Sequence, residues 1–133
     1  MRLLLDTCSL IWLVQQPERL GAKCQRALAD PWNDLFVSAV SLWEMSIKSS
    51  LGRLDLENAT VESFIAMAEA HGCQWIGLQP DVAASFYRLP IVGDHRDPFD
   101  RILVWQAIRS NFALTSRDRV MAAYEPHGLI IIW

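Results

Sequence analysis

The feature that most restricts what this chain can fold into is a set of short apolar runs with no polar alternation. Leu3-Leu4-Leu5 is the first and Leu129-Ile130-Ile131-Ile132 the last. Successive side chains of a strand point to opposite faces, so a strand with one wet face alternates apolar and polar residues. A run without alternation is buried on both faces. Strands are predicted at residues 2–6, 35–38, 74–78, 112–115 and 129–132. Helices are predicted at residues 7–15, from Pro17 to Pro31, and at 38–51, 61–71, 80–89, 98–110 and 119–124. In the third of these, Val40, Trp43, Ile47 and Leu51 recur at spacings of 3, 4 and 4, one stripe of a helical period. Strand alternating with helix, the strands buried on both faces, is the pattern of an α/β domain with a parallel sheet between helices.

The chain has 133 residues, 52% of them apolar, with no repeat and no linker, which fits a single domain over residues 1–133. Twelve basic and fifteen acidic residues leave a formal charge of -3, which argues against binding nucleic acid through a broad positive surface. Cys8, Cys24 and Cys73 make neither a CxxC pair nor a zinc spacing, so free thiols in a reducing cytosol are expected. Asp6 interrupts the first apolar run, unlike a signal peptide. No stretch reaches the roughly 18 apolar residues of a membrane helix. A soluble, cytoplasmic protein is expected. The six tryptophans read mostly as core or interface mass.

Four acids take corresponding places in this pattern. Asp6 ends the first strand, and Glu44 lies early in the helix starting near Ser38. Asp100 falls in the first turn of the helix opening at Pro98, and Asp118 stands between the strand ending near Thr115 and the next helix. In an open parallel sheet the carboxyl ends of the strands and the starts of the following helices share one rim, where ligands bind. Acids this far apart in sequence could therefore converge. Converging carboxylates repel and raise one another's pKa, so the cluster needs a compensating charge. Oxygen donors favour Mg2+ or Mn2+, and an ion so held can activate water for phosphodiester hydrolysis.

Each acid also has a purely structural reading. An Asp just after a strand suits a helix N-cap, which is one reading of Asp6. In Asp97-Pro98-Phe99-Asp100, Asp97 is a natural cap, Pro98 suits the first helical position, and Asp100 complements the helix dipole. Asp97 is read here as the cap. Glu44 could close a capping box with Ser41 or pair with Lys48, yet its spacing from Val40 and Ile47 places it on or beside the apolar face. Asp118 sits between Arg117 and Arg119, as in a solvated charge run. Thr7 and Ser116 could orient a carboxylate, or serve as turn residues. Lys48, Arg96, Arg101, Arg117 and Arg119 are candidates for phosphate contacts. His95 has no second histidine nearby to build a nitrogen site and is read as a surface or packing residue.

Four segments occur in order: Leu3-Leu4-Leu5-Asp6-Thr7, Trp43-Glu44-Met45-Ser46-Ile47-Lys48, His95-Arg96-Asp97-Pro98-Phe99-Asp100-Arg101 and Ser116-Arg117-Asp118. Together they resemble PIN-domain proteins, and within them the VapC-like toxin branch of type II toxin–antitoxin systems. Leu51-Gly52-Arg53-Leu54 and Tyr124 add to the likeness, which runs from residue 3 to about 133. The resemblance implies a three-layer α/β/α fold with a central parallel sheet of four or five strands. It implies a Mg2+- or Mn2+-dependent endoribonuclease with an RNA substrate, a cognate antitoxin and a homodimeric state. Carried over by position, the catalytic, metal-binding acids are Asp6, Glu44, Asp100 and Asp118, with Asp97 outside the usual set. Ser116 stands where Thr is more usual, and Cys8 where this branch often has His.

Two rival readings start from the same residues. A catalytically silent PIN-like module would act by binding RNA or a partner protein, with the tryptophans supplying the surface. A phosphatase with Asp6 as nucleophile would need a second Asp two residues on, where Cys8 stands.

Overall fold

A computed structural model describes residues 1–133. Strands β1 (Arg2–Leu5), β2 (Asp34–Ser38), β3 (Cys73–Ile76), β4 (Ala113–Thr115) and β5 (Ile130–Ile132) form one five-stranded sheet, every pairing parallel. Six α-helices alternate with them: α1 (Thr7–Gln15), α2 (Ala22–Ala29), α3 (Ala39–Ser50), α4 (Ser63–Ala70), α5 (Pro80–Ser85) and α6 (Pro98–Ser110). The strand order β3-β2-β1-β4-β5 means that the chain builds outward from β1 to one edge, then returns to β1 and builds toward the other. The reversal falls between β1 and β4. The crevice at the carboxyl ends of those strands is where an open α/β sheet receives a ligand.

The unalternated leucines do what their pattern requires. Leu3 and Leu5 enter one core with Leu35, Val37 and Ile132, while Leu4 enters a second core with Leu103, Val104 and Leu114. All three are fully buried. α1, α2 and α4 cover the first face through Leu10, Cys24 and Phe64. α6 and a 3-10 helix at Arg119–His127 cover the second through Val104, Met121 and Tyr124. The result is a three-layer α/β/α sandwich.

Element boundaries differ from the sequence reading where tertiary contacts intervene. After Pro17 the chain makes a 3-10 helix, Pro17–Arg19, and α2 begins only beyond Gly21. A Cβ on Gly21 would meet the Trp133 backbone at 2.7 Å, so this close approach needs glycine. α2 stops at Ala29, because Asp30 precedes Pro31 and is pushed out of helical geometry. β3 begins at Cys73 and ends at Ile76, opposite the last residue of its only partner, Ser38 of β2. Residues 80–89 divide into α5 and a 3-10 helix, Phe86–Arg88, and the helix expected at 119–124 runs on as 3-10 to His127, closed by left-handed Gly128.

The largest correction concerns α3. Of the predicted stripe, Val40 is buried but Trp43 is 62% exposed and Leu51 is exposed. The buried face carries Ser41, Glu44 and Met45. The helix is rotated so that a carboxylate, not an indole, faces inward, and that carboxylate finds partners of its own.

Candidate metal centre

Local helix chemistry places three of the acids. Asp6 follows β1 in extended conformation and caps α1, its Oδ1 accepting from the Ser9 amide at 2.7 Å. Its own amide donates to the Thr115 carbonyl at 3.2 Å, which ties it to the end of β4. Asp118 caps the Arg119–His127 helix, accepting from the Val120 amide at 2.9 Å, and its amide donates to the Ser116 hydroxyl at 3.1 Å. Asp97 caps α6 through the amides of Phe99 and Asp100, at 2.9 and 3.1 Å. Asp100 then sits in the first turn. Cap and site readings are not alternatives here, since each cap uses one carboxylate oxygen and leaves the second available.

Glu44 is only 3% exposed. Its Oε2 pairs with Lys48 Nζ at 2.6 Å, and its Oε1 accepts from the Thr7 hydroxyl at 2.5 Å. The capping box with Ser41 does not form. The cap is Ser38, whose hydroxyl accepts from the Val40 amide at 3.2 Å, and the Ser41 hydroxyl is buried without a protein partner.

Asp6, Glu44, Asp97, Asp100 and Asp118 line one cleft of about 690 Å3, and Lys48, Arg117 and Arg119 are the cations that join them. Five carboxylates therefore meet three cations. Burial raises the Asp6 carboxyl above its ordinary range, Glu44 adds to the rise, and hydrogen bonds from Ser116 and Ser9 oppose it. Asp100 is pushed up to about 6 by burial first, then by the charges of Asp97 and Glu44, against the pull of His95. The hydrogen bond to Glu44 raises Lys48. Burial, then the charge of Asp6, pushes the Cys8 thiol up to about 11. Burial and neighbouring charge thus disfavour the ionised forms of Asp6 and Asp100, a cost that positive charge nearby lowers.

Two features were not legible in the sequence. Asp97 caps α6 as expected but also lines the cleft and raises Asp100. His95, read as a surface or packing residue, comes together with Asp100 and Asp118, one donor atom from each lying within 4.8 Å of the others. Asp6 and Glu44 line the same cleft without joining that set. The signal for His95 is its contact with Tyr124, 29 residues away, which no local pattern announces.

The basic candidates divide. Lys48, Arg117 and Arg119 line the cleft, and the Arg117 guanidinium lies 5.0 Å from the Trp12 ring centre. Arg96 and Arg101, also read as candidates for phosphate contacts, do not line it. Arg96 donates to the Gly93 carbonyl at 2.8 Å. Arg101 donates to the carbonyls of Leu89 and Pro90 at 2.9 and 3.3 Å and to the Tyr124 hydroxyl at 3.4 Å. Arg96 thus uses one guanidinium nitrogen and Arg101 two on acceptors within the protein.

No curated protein matches the sequence. Solved structures resemble the fold. VapBC2 from Rickettsia felis bound to a DNA fragment from its promoter is 14% identical, with 98% of this chain and 97% of that chain covered and a TM-score of 0.64. FitAB bound to the IR36 DNA fragment is 17% identical, with 97% and 92% covered and a TM-score of 0.55. At these identities the likeness is one of fold. The sequence itself matches the PIN domain over residues 3–125, a span that runs from β1 through Tyr124 and contains all four acids. With that match, the parallel sheet and the acidic cleft at its switch point in agreement, the chain belongs to the PIN domain family.

Proposed function

We propose that this protein is a Mg2+- or Mn2+-dependent endoribonuclease, the cytoplasmic toxin of a VapC-like type II toxin–antitoxin pair. The observation that carries the reading is the convergence of Asp6, Glu44, Asp100 and Asp118 on one cleft. Carboxylate oxygens suit a hard divalent cation, and the excess of acids over cations there leaves charge for one to neutralise. These four residues would hold it, and when bound it supplies activation of water and neutralises charge developing on the phosphate.

The chain's own groups do the rest. Thr7 and Lys48 fix the two oxygens of Glu44. Lys48, Arg117 and Arg119 offer cationic contacts to phosphates. Three such groups on a chain of net charge -3 suit a short single-stranded RNA better than a long duplex. The toxin role rests on the likeness of fold to the VapBC2 and FitAB assemblies. Exposed Trp43, Leu51 and Tyr87 would supply apolar surface for an antitoxin and for a second copy of the chain. Three free cysteines fit a reducing compartment, and no helix is long and apolar enough to cross a membrane.

The test is RNA cleavage by purified protein. Cleavage should require Mg2+ or Mn2+, stop with EDTA, and fall in Asp6→Asn by more than the roughly 100-fold that loss of an outer partner costs. Equal activity in the substituted protein would sink the reading. Expression in a bacterial host separates the rival: growth arrest relieved by Asp6→Asn favours cleavage, and arrest that persists favours binding alone.

A further inference from the structure

We infer that His95 is a positioning residue for Asp100, oriented by a hydrogen-bond chain from Arg101 through Tyr124 so that its Nε2–H, not a lone pair, faces the carboxylate. The inference rests on the metal site proposed above. His95 is 9% exposed, its Nδ1 lies 3.0 Å from the Tyr124 hydroxyl, and its Nε2 lies 3.5 Å from Asp100 Oδ2.

The proton positions follow from what each group can do. Tyr124 is fully buried, and its hydroxyl contacts only His95 Nδ1 and Arg101 Nε. Arginine cannot accept a hydrogen bond, so it donates, and the Tyr124 proton has Nδ1 as its acceptor. Arg101 is held in place to do this by the Leu89 and Pro90 carbonyls. A neutral imidazole that accepts at Nδ1 carries its proton on Nε2, which points at Asp100. The 3.5 Å contact is at the long limit for a hydrogen bond, and charge on the carboxylate strengthens such a contact. His95, Asp100 and Asp118 lie close enough to look like a mixed nitrogen and oxygen ligand set. A ring nitrogen that carries a proton cannot ligate, so the chain from Arg101 assigns His95 to holding Asp100 rather than to holding a cation.

Two measurements test this. Two-bond 1H–15N correlation NMR of the metal-free protein at alkaline pH should show Nε2 protonated and Nδ1 bare. The opposite tautomer overturns the inference. Mn2+ affinity measured by calorimetry should stay within about threefold in His95→Gln, whose amide keeps an N–H near the Nε2 position, and weaken by about 10- to 100-fold in His95→Leu. A glutamine variant as weak as the leucine variant would make the nitrogen a ligand, and an unaffected leucine variant would deny it any role. Either result overturns the inference. If His95→Leu does not fold, the tautomer and the glutamine variant still decide. If the wild-type protein takes up no Mn2+, the proposed function fails, and the tautomer alone decides the role of His95.

Discussion

The acidic cleft and the apolar groove beside it are built from neighbouring residues on the same two helices. On α3, Glu44 lines the cleft and Trp43 the groove, and on α6, Asp100 lines the cleft and Phe99 the groove. A helix turns about 100° per residue, so adjacent side chains face different ways. The groove, about 490 Å3, is lined almost wholly by apolar side chains, among them the edge-to-face pair of Trp43 and Phe99 at 5.3 Å. The cleft leaves its charges unbalanced: five carboxylates, of which Asp6 and Glu44 are buried and Asp100 half-buried, face three cations. The same two helices thus carry an apolar surface and an acidic one, and a cation bound at the second would relieve the repulsion there. Activity is expected where the fold gives up stability.

Substitutions can break or sharpen that contrast. The largest effect is expected from Asp6→Asn. Asparagine caps a helix as well as aspartate does and carries no charge to bury, so the melting temperature of metal-free protein at neutral pH should hold or rise while RNA cleavage collapses. Cleavage that survives along with stability would mean that the acid serves as a cap alone.

Next comes pH. The folded protein holds the Asp100 proton up to about 6, above the ordinary 3.8, so it binds a proton that the unfolded chain releases. Stability from this group is full below 3.8 and is lost as pH rises through about 6. Asp6 acts in the same direction. The melting temperature of metal-free protein should therefore fall across this range. Asp100→Asn should flatten the fall, raise the neutral-pH value, and abolish stabilisation by Mn2+. A melting temperature that rises with pH would contradict the frustrated cleft.

Lys48→Met should act more weakly. It strips Glu44 of its counter-cation, but Lys48 is partly exposed, so a cost of about 1 kcal/mol is expected, seen in denaturant melts and largely recovered with Mn2+. The smallest effect on the cleft should come from Trp43→Ala. Losing the contact with Phe99 should cost about 0.5–1.5 kcal/mol, with Mn2+ affinity and cleavage unchanged. A changed affinity would show that groove and cleft are coupled.

Much of the fold could be read from the chain because local rules and burial agree there. The three leucines of β1 need two cores, and the structure supplies two. Asp97-Pro98 starts α6 as its chemistry dictates. The spacing of Glu44 from Val40 and Ile47 hinted that it faces inward, but the exposure of Trp43 and Leu51 could not be read, because the apolar stripe pointed one way and the partners of Glu44, Thr7 and Lys48, pulled another. Arg101 looked like a free cation, and only the folded chain shows its Nε and Nη2 bonded to Tyr124, Leu89 and Pro90.

The sequence by itself determined the alternation of buried strands and helices, and with it the rim on which Asp6, Asp100 and Asp118 fall. Those follow from side-chain periodicity and helix capping, which act over a few residues. Tertiary structure alone decided that β1 and β4 are neighbours, that Thr7 meets Glu44 while Trp43 stays exposed, and that Tyr124 meets His95. These depend on contacts between residues tens of positions apart, whose geometry exists only once the sheet has formed. Asp6 is legible as an acid at a strand end, and its surroundings are not.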